Sequence, residues 1–115
     1  MPFENGDTVL VLFPDSNLRT AKRRPALVIM ADDLNTGLPQ TIIAMITSNM
    51  ARSGHPSRIR IDKCSSSGQA MGLLTDSVVM MDNLATVLHG EIDRVIGRCP
   101  DMAQAHNALR YTFGL

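Results

Sequence analysis

Lys22-Arg23-Arg24-Pro25 places three cations just ahead of an apolar, β-rich run, and Thr47-Ser48 places two hydroxyls at the end of the next such run. If the two runs are neighbouring strands, Arg24 and Thr47 lie near each other at one end of a sheet. A guanidinium beside a hydroxyl, with amide donors nearby, makes a site for a phosphate. The same residues also suit a plainer role: an arginine paired with a carboxylate, and a threonine that closes a strand. Other chemistry is sparse. Cys64 and Cys99 stand far apart, form no CxxC, and are expected as free thiols. His55, His89 and His106 have no partner at zinc-ligand spacing, so neither a metal nor a cofactor is expected.

The chain that must position these groups has 115 residues, and one domain over residues 1–115 is the expectation. It is 44% apolar and 19% charged, which excludes wholesale disorder. No apolar run approaches the roughly 18 residues of a membrane span. The opening MPFENGD is polar and acidic and matches neither a secretory nor a transit pattern, so a cytoplasmic protein with no membrane partner is expected. Cations and carboxylates balance at 11 each, but not locally. Residues 19–63 hold 8 of the cations against Asp32, Asp33 and Asp62, a net of +5. A neutral protein can therefore present one basic face. Solvated strand and loop charges would account for the same asymmetry.

Thr8–Phe13 (TVLVLF) predicts a strand ended by the turn Pro14-Asp15-Ser16-Asn17. Leu18–Arg24 reads as a basic loop. Pro25–Met30 and Thr41–Ile46 predict two further strands, the first opening on a proline that lacks a donor. Arg58–Ile61 (RIRI) alternates with period two and predicts a half-exposed strand with its arginines on one face. Ser65-Ser66-Ser67-Gly68 reads as a loop. Gly72–Leu74, Ser77–Met81, Leu84–Leu88 and Arg94–Gly97 read as short apolar segments, the last two around a turn at Gly90. Helical periodicity is confined to the end. Met102, Ala105, Leu109 and Phe113 form one stripe, with Asp101 placed to cap the start and Gly114 to end it. Many short strands and one terminal helix predict a small, mostly β barrel with a packed helix.

Four segments carry a resemblance: Gly6-Asp7-Thr8-Val9, Arg24-Pro25-Ala26-Leu27-Val28-Ile29, Ile46-Thr47-Ser48, and Gly72-Leu73-Leu74-Thr75-Asp76-Ser77-Val78-Val79. In this order and spacing, and with a terminal helix ending Phe113-Gly114-Leu115, the chain resembles the MazF/PemK toxins, sequence-dependent endoribonucleases of bacterial toxin–antitoxin modules. The resemblance spans essentially the whole chain. It implies a mostly β, α+β fold, a small SH3-like barrel of the CcdB/PemK type with a C-terminal helix. It also implies a homodimer, single-stranded RNA as substrate, and a cognate antitoxin that blocks the RNA surface. It places the catalytic arginine at Arg24 and the catalytic threonine at Thr47. Cleavage would need no metal and would leave a cyclic phosphate and a 5′-hydroxyl.

Those side chains suit that chemistry. Negative charge grows on the phosphate oxygens as the ribose 2′-oxygen attacks, and an arginine can meet it with two parallel hydrogen bonds. Arginine is a poor base at pH 7. Asp82 is one candidate base, since some members of the resembled family place an acidic residue there. His55 is another on its ordinary pKa. RNA contacts are expected from Asn17, Lys22, Arg23, Ser48, Asn49, Arg52 and His55. Phe3, Phe13, Tyr111 and Phe113 are the only aromatic residues. The last two are expected to pack within the helix, so loop amides and polar side chains are left to read bases. Two positions depart from the resembled pattern: Met80 where some members have arginine, and Ala85-Thr86 where many have Arg-Thr. Less positive charge at the site keeps two alternatives open, a CcdB-like toxin that poisons gyrase and a catalytically weak domain that binds RNA or antitoxin.

Overall fold

The computed structural model describes residues 2–14, 19 and 21–115. Residues 15–17 of the expected turn, Asn17 among them, lie outside the described residues. Six strands form one antiparallel sheet: β1 (Asp7–Pro14), β2 (Ala21–Val28), β3 (Gln40–Thr47), β4 (Arg58–Ile61), β5 (Ser77–Leu88) and β6 (Ile92–Arg98). Their order across the sheet is β4-β5-β3-β2-β1-β6. The mostly β architecture with a terminal helix is the expected one. The hydrogen-bond ladder does not close, because β4 and β6 lie at its two ends.

Several local readings change. Ala21–Arg24 is strand, not loop: its residues pair with β1 from Pro14↔Ala21 to Val11↔Arg24. Backbone pairing with a neighbour overrides the polar side chains. Residues 77–88 form one long strand rather than two segments. Its pairing with β3 jumps from Ala44↔Leu84 to Met45↔Met80, so Met81, Asp82 and Asn83 bulge out of the ladder. Ser65-Ser66-Ser67-Gly68 is not a loop either. Ser65 accepts the Gly68 N–H and caps a short helix, α1 (Ser66–Ala70).

Period-two alternation divides the core between the two faces of the sheet. One face carries Leu27, Ala44, Ile46, Ile59, Ile61, Val79 and Met81, which pack with Met71, Leu73 and the terminal helix α2 (Ala103–Phe113). The other face carries Val9, Val11, Ala26, Val28, Ile43, Val87 and Ile92, with Met45 and Ala85 at its margin. The helix buries only Ala105 and Ala108, small residues that let it lie close to the sheet. Its ends are as expected. Asp101 accepts the Ala103 N–H at 2.9 Å, and Gly114 adopts φ +70° in a left-handed terminus. The expected stripe is cut short, because Phe113 and Tyr111 are each 58% exposed. The last turn is only partly covered: Phe113 borders an open apolar groove with Ile42 of β3 and Leu84 of β5.

Gly72 lies in the connection from α1 to β5 and packs against Ile96 of β6. It has φ +72°, and a Cβ there would overlap the Ile96 carbonyl. Gly72→Ala should therefore cost about 2 kcal/mol or more from the left-handed backbone and the clash together. Thermal unfolding should show a melting temperature lower by roughly 10 °C. An unchanged melting temperature would mean that the close approach of these segments is not needed.

Candidate functional site

The pairing of β2 with β3 sets the site. It runs Val28↔Ile43, Leu27↔Ala44, Ala26↔Met45 and then stops. The Ile29 N–H donates to the Ile42 carbonyl at 3.0 Å. Bonding orientation alternates along an antiparallel ladder, so Leu27 and Pro25 face β3 in the same way as Ile29. Pro25 has no N–H to give the Ile46 carbonyl. The ladder ends there, and the same register carried two residues further sets Arg24 opposite Thr47. Both residues line a cleft of about 380 Å³, with Met45, Ile46, Met80, Asn83 and Ala85. Alternation puts Lys22 on the same face of β2 as Arg24.

Arg24 is exposed and, among the described residues, makes no side-chain hydrogen bond or ion pair. Four other arginines differ: Arg23 pairs with Asp93, Arg58 with Asp82, Arg60 with Asp62 and Arg98 with Asp7. The Thr47 hydroxyl oxygen accepts the Asn49 N–H at 3.1 Å, which leaves its own hydrogen to donate. Asn49 in turn accepts the Ala51 N–H and starts a single 3₁₀ turn, Met50–Arg52. A free guanidinium and a hydroxyl donor therefore converge on one opening with an apolar floor. A second cleft, of about 360 Å³, lies between Leu10, Pro25, Leu73, Leu74, Arg94 and Ile96. Thr75 and Ser77 border it together with Arg94, but it is chiefly apolar and the Ser77 hydroxyl donates to the Thr75 carbonyl, so the first cleft is the better phosphate site.

Other candidates fall elsewhere. Arg23 projects from the opposite face of β2, where Asp93 binds it at 2.9 Å. Ser48 is exposed beside the cleft. Arg52 ends the 3₁₀ turn, and its carbonyl accepts from Arg58 Nη1 at 3.2 Å. His55 Nδ1 accepts the Ser57 N–H at 3.1 Å and lies 2.7 Å from the Ser57 hydroxyl. Its ring stands edge-on to Tyr111. Asp82 holds Arg58 through both oxygens, at 2.8 and 3.3 Å. Hydrogen bonding to that guanidinium keeps its carboxyl below the usual range, against a smaller opposing effect of burial. Neither base candidate lines the cleft. Met80 and Ala85 do line it, so the two departures in the sequence bear on the cleft itself. Asn83 was not singled out from the sequence, because only the bulge brings it there. Among the described residues no three His, Cys, Asp or Glu side chains are grouped as metal ligands, and no helix is long and apolar enough to cross a membrane.

Residues 4–113 match the family described as PemK-like, MazF-like toxins of type II toxin–antitoxin systems. The chain belongs to that family. Endoribonuclease MazF2 of Mycobacterium bovis is 33% identical to this toxin over 90 residues, which cover 77% of this chain and 75% of that protein. Endoribonuclease MazF6 of Mycobacterium tuberculosis matches to the same extent. Among solved structures, the Mycobacterium tuberculosis toxin MazF-mt6 superposes with a TM-score of 0.73 at 22% identity, covering 95% of this chain and 97% of that one. MazF in a MazE–MazF crystal from Deinococcus radiodurans gives 0.76 at 18% identity, covering 100% and 98%. A mycobacterial endoribonuclease in complex with its cognate antitoxin gives 0.74 at 19% identity, covering 98% and 96%. The fold of this toxin is thus the MazF fold over its whole length.

The Asp82–Arg58 pair fixes a pH dependence of stability. The folded carboxyl titrates below its unfolded value, so the stabilisation is present above about pH 4 and is lost as pH falls through the folded pKa. Asp82→Asn should destabilise the toxin at pH 7 by about 1 kcal/mol, as suits a partly exposed bidentate pair. The difference should vanish near pH 2. Paired denaturation curves at the two pH values check this, and an equal difference at both would assign the effect to something other than charge.

Proposed function

We infer that this toxin is an endoribonuclease, and we propose that it cuts single-stranded RNA at the cleft between Arg24 and Thr47. The observation that carries the site is the Arg24 guanidinium, unpaired among the described residues, sharing one cleft with the Thr47 hydroxyl. The ribose 2′-oxygen attacks the adjacent phosphorus, and the bond to the 5′-oxygen breaks. A 2′,3′-cyclic phosphate and a 5′-hydroxyl result. Arg24 stabilises charge on the equatorial oxygens, and Thr47 donates its hydrogen to one of them. The 2′-hydroxyl proton passes to solvent, and the departing 5′-oxygen takes one back. The base candidates Asp82 and His55 are held by Arg58 and by Ser57, so electrostatic stabilisation provides most of the rate.

Chemistry of this kind needs no metal. Lys22, Ser48 and Arg52 provide further contacts along the strand; Arg23, bound to Asp93, is the weaker contributor. A cognate antitoxin is the natural partner for a toxin of this family, and the cytoplasm the place where it meets RNA. We further propose that two chains pair. Half-exposed Leu34 and Phe113 line an apolar groove with Ile29, Ile42 and Leu109, which supports burial against another copy.

Arg24→Ala should lower cleavage of a long single-stranded RNA by about 10²–10³-fold, the usual cost of one transition-state donor. Its melting temperature should stay within a degree or two, because Arg24 holds nothing else. Wild-type cleavage should persist in excess EDTA. Unimpaired cutting by the variant would remove Arg24 from the site. RNA left whole by the wild type would favour the gyrase-directed alternative. Sedimentation at micromolar concentration should give about twice the chain mass, and a clean monomer would contradict the pairing.

A further inference from the structure

We propose that Asn83 reads the base beside the phosphate held by Arg24 and Thr47, and that the Arg58–Asp82 pair positions it. The proposal rests on the nuclease reading above and adds a specificity residue to it.

The three residues that bulge from β5 are turned in three directions. Met81 is fully buried, and its N–H donates to the Ser57 carbonyl at 3.0 Å. Asp82 turns to Arg58. Asn83 turns to the cleft, where it is exposed and, among the described residues, makes no side-chain hydrogen bond. In a regular strand alternation would put Asn83 on the same face as the buried Met81, so the bulge is what frees it for the cleft.

The rest of the lining defines what an amide could do there. Met45, Met80 and Ala85 make an apolar floor, suited to the face of a base rather than to a phosphate. Arg24 and Thr47 supply the phosphate contacts at one side. The carboxamide of Asn83 offers one donor beside one acceptor. It can therefore pair with a base edge that presents an acceptor beside a donor. Single-stranded RNA exposes such edges.

Base reading needs a fixed amide. Arg58 lies opposite Met80 on β4 and grips the bulge from outside, through two bonds to Asp82 and one to the Arg52 carbonyl. The same guanidinium thus joins the bulge to the turn that follows Thr47. Arg58 need not touch the RNA for its loss to blur the reading.

The test is cleavage of a randomised single-stranded RNA library, with the new 5′ ends sequenced. The wild type should show a preference at a position next to the cut. Asn83→Ala should flatten that position by about ten- to hundredfold and leave the others as they were. Asn83→Asp replaces the donor by a second acceptor. It should move the preference to guanine, whose N1–H and N2–H present two donors. Arg58→Ala should blunt the same position selectively. Circular dichroism melting confirms that each variant is folded, and Asn83, exposed and unbonded, leaves the fold intact when changed. Unaltered profiles for both Asn83 variants in an active enzyme would overturn the proposal and spare the nuclease reading. An even loss across all positions for Arg58→Ala would overturn the positioning role. A wild type that cuts nothing would overturn both the proposal and the nuclease reading.

Discussion

A missing hydrogen shapes the working end of this sheet. Pro25 stands where β2 would next donate to β3, and it has no N–H to donate. Pairing therefore stops two residues before Arg24 and Thr47, and the two side chains border an opening instead of a closed ladder. On its other side β2 stays paired with β1 through this region, from Thr8↔Leu27 to Pro14↔Ala21, with Pro25 opposite Leu10. The proline thus opens one edge of β2 while the strand stays anchored along the other. An ordinary residue at this position would extend the ladder into the cleft.

The opposite wall of the cleft is made by an irregularity of another kind. Three residues of β5 have no counterpart on β3, and each is used by a different neighbour. Met81 goes to the core, Asp82 to Arg58, and Asn83 to the cleft. The cost of interrupting the ladder is offset by the burial of Met81 and by a bidentate ion pair. The cleft is therefore bounded by an early ladder end on β2 and a bulge on β5, with the regular strand β3 between them. Together these two irregularities bring a cation, a hydroxyl and an amide into one lining.

Charge is sorted by the same geometry. The sequence crowds cations into residues 19–63, yet the fold gives several of them carboxylates. Arg23 and Arg24 are adjacent in sequence but project to opposite faces, and only Arg23 meets an aspartate. Arg58 is committed to Asp82, and Arg60 to Asp62. Positive potential is left at the cleft because Arg24 is spared. Net charge per segment could not show this, since partners such as Asp93 and Asp82 lie far along the chain.

Much of the framework was legible without coordinates. The apolar β-rich runs around Val9, Leu27 and Ile43, the alternation of Arg58–Ile61, and the helix closed by Gly114 all follow from local side-chain pattern and backbone preference. So did the juxtaposition of Arg24 and Thr47, given that β2 and β3 are neighbours. What the pattern could not decide depended on contacts remote in sequence. Ala21–Arg24 becomes strand only because β1 pairs with it. Phe113 stays more than half exposed because the groove it shares with Ile42 and Leu84 is open. Asp82 reads as a base in sequence, but Arg58, 24 residues away, accounts for its carboxyl. Asn83 reads as an ordinary strand residue, and only a three-residue mismatch between β3 and β5 turns it into the cleft. Local propensity is written along the chain. Register, bulges and ion pairs are set between strands, and they decided which polar groups were left for chemistry.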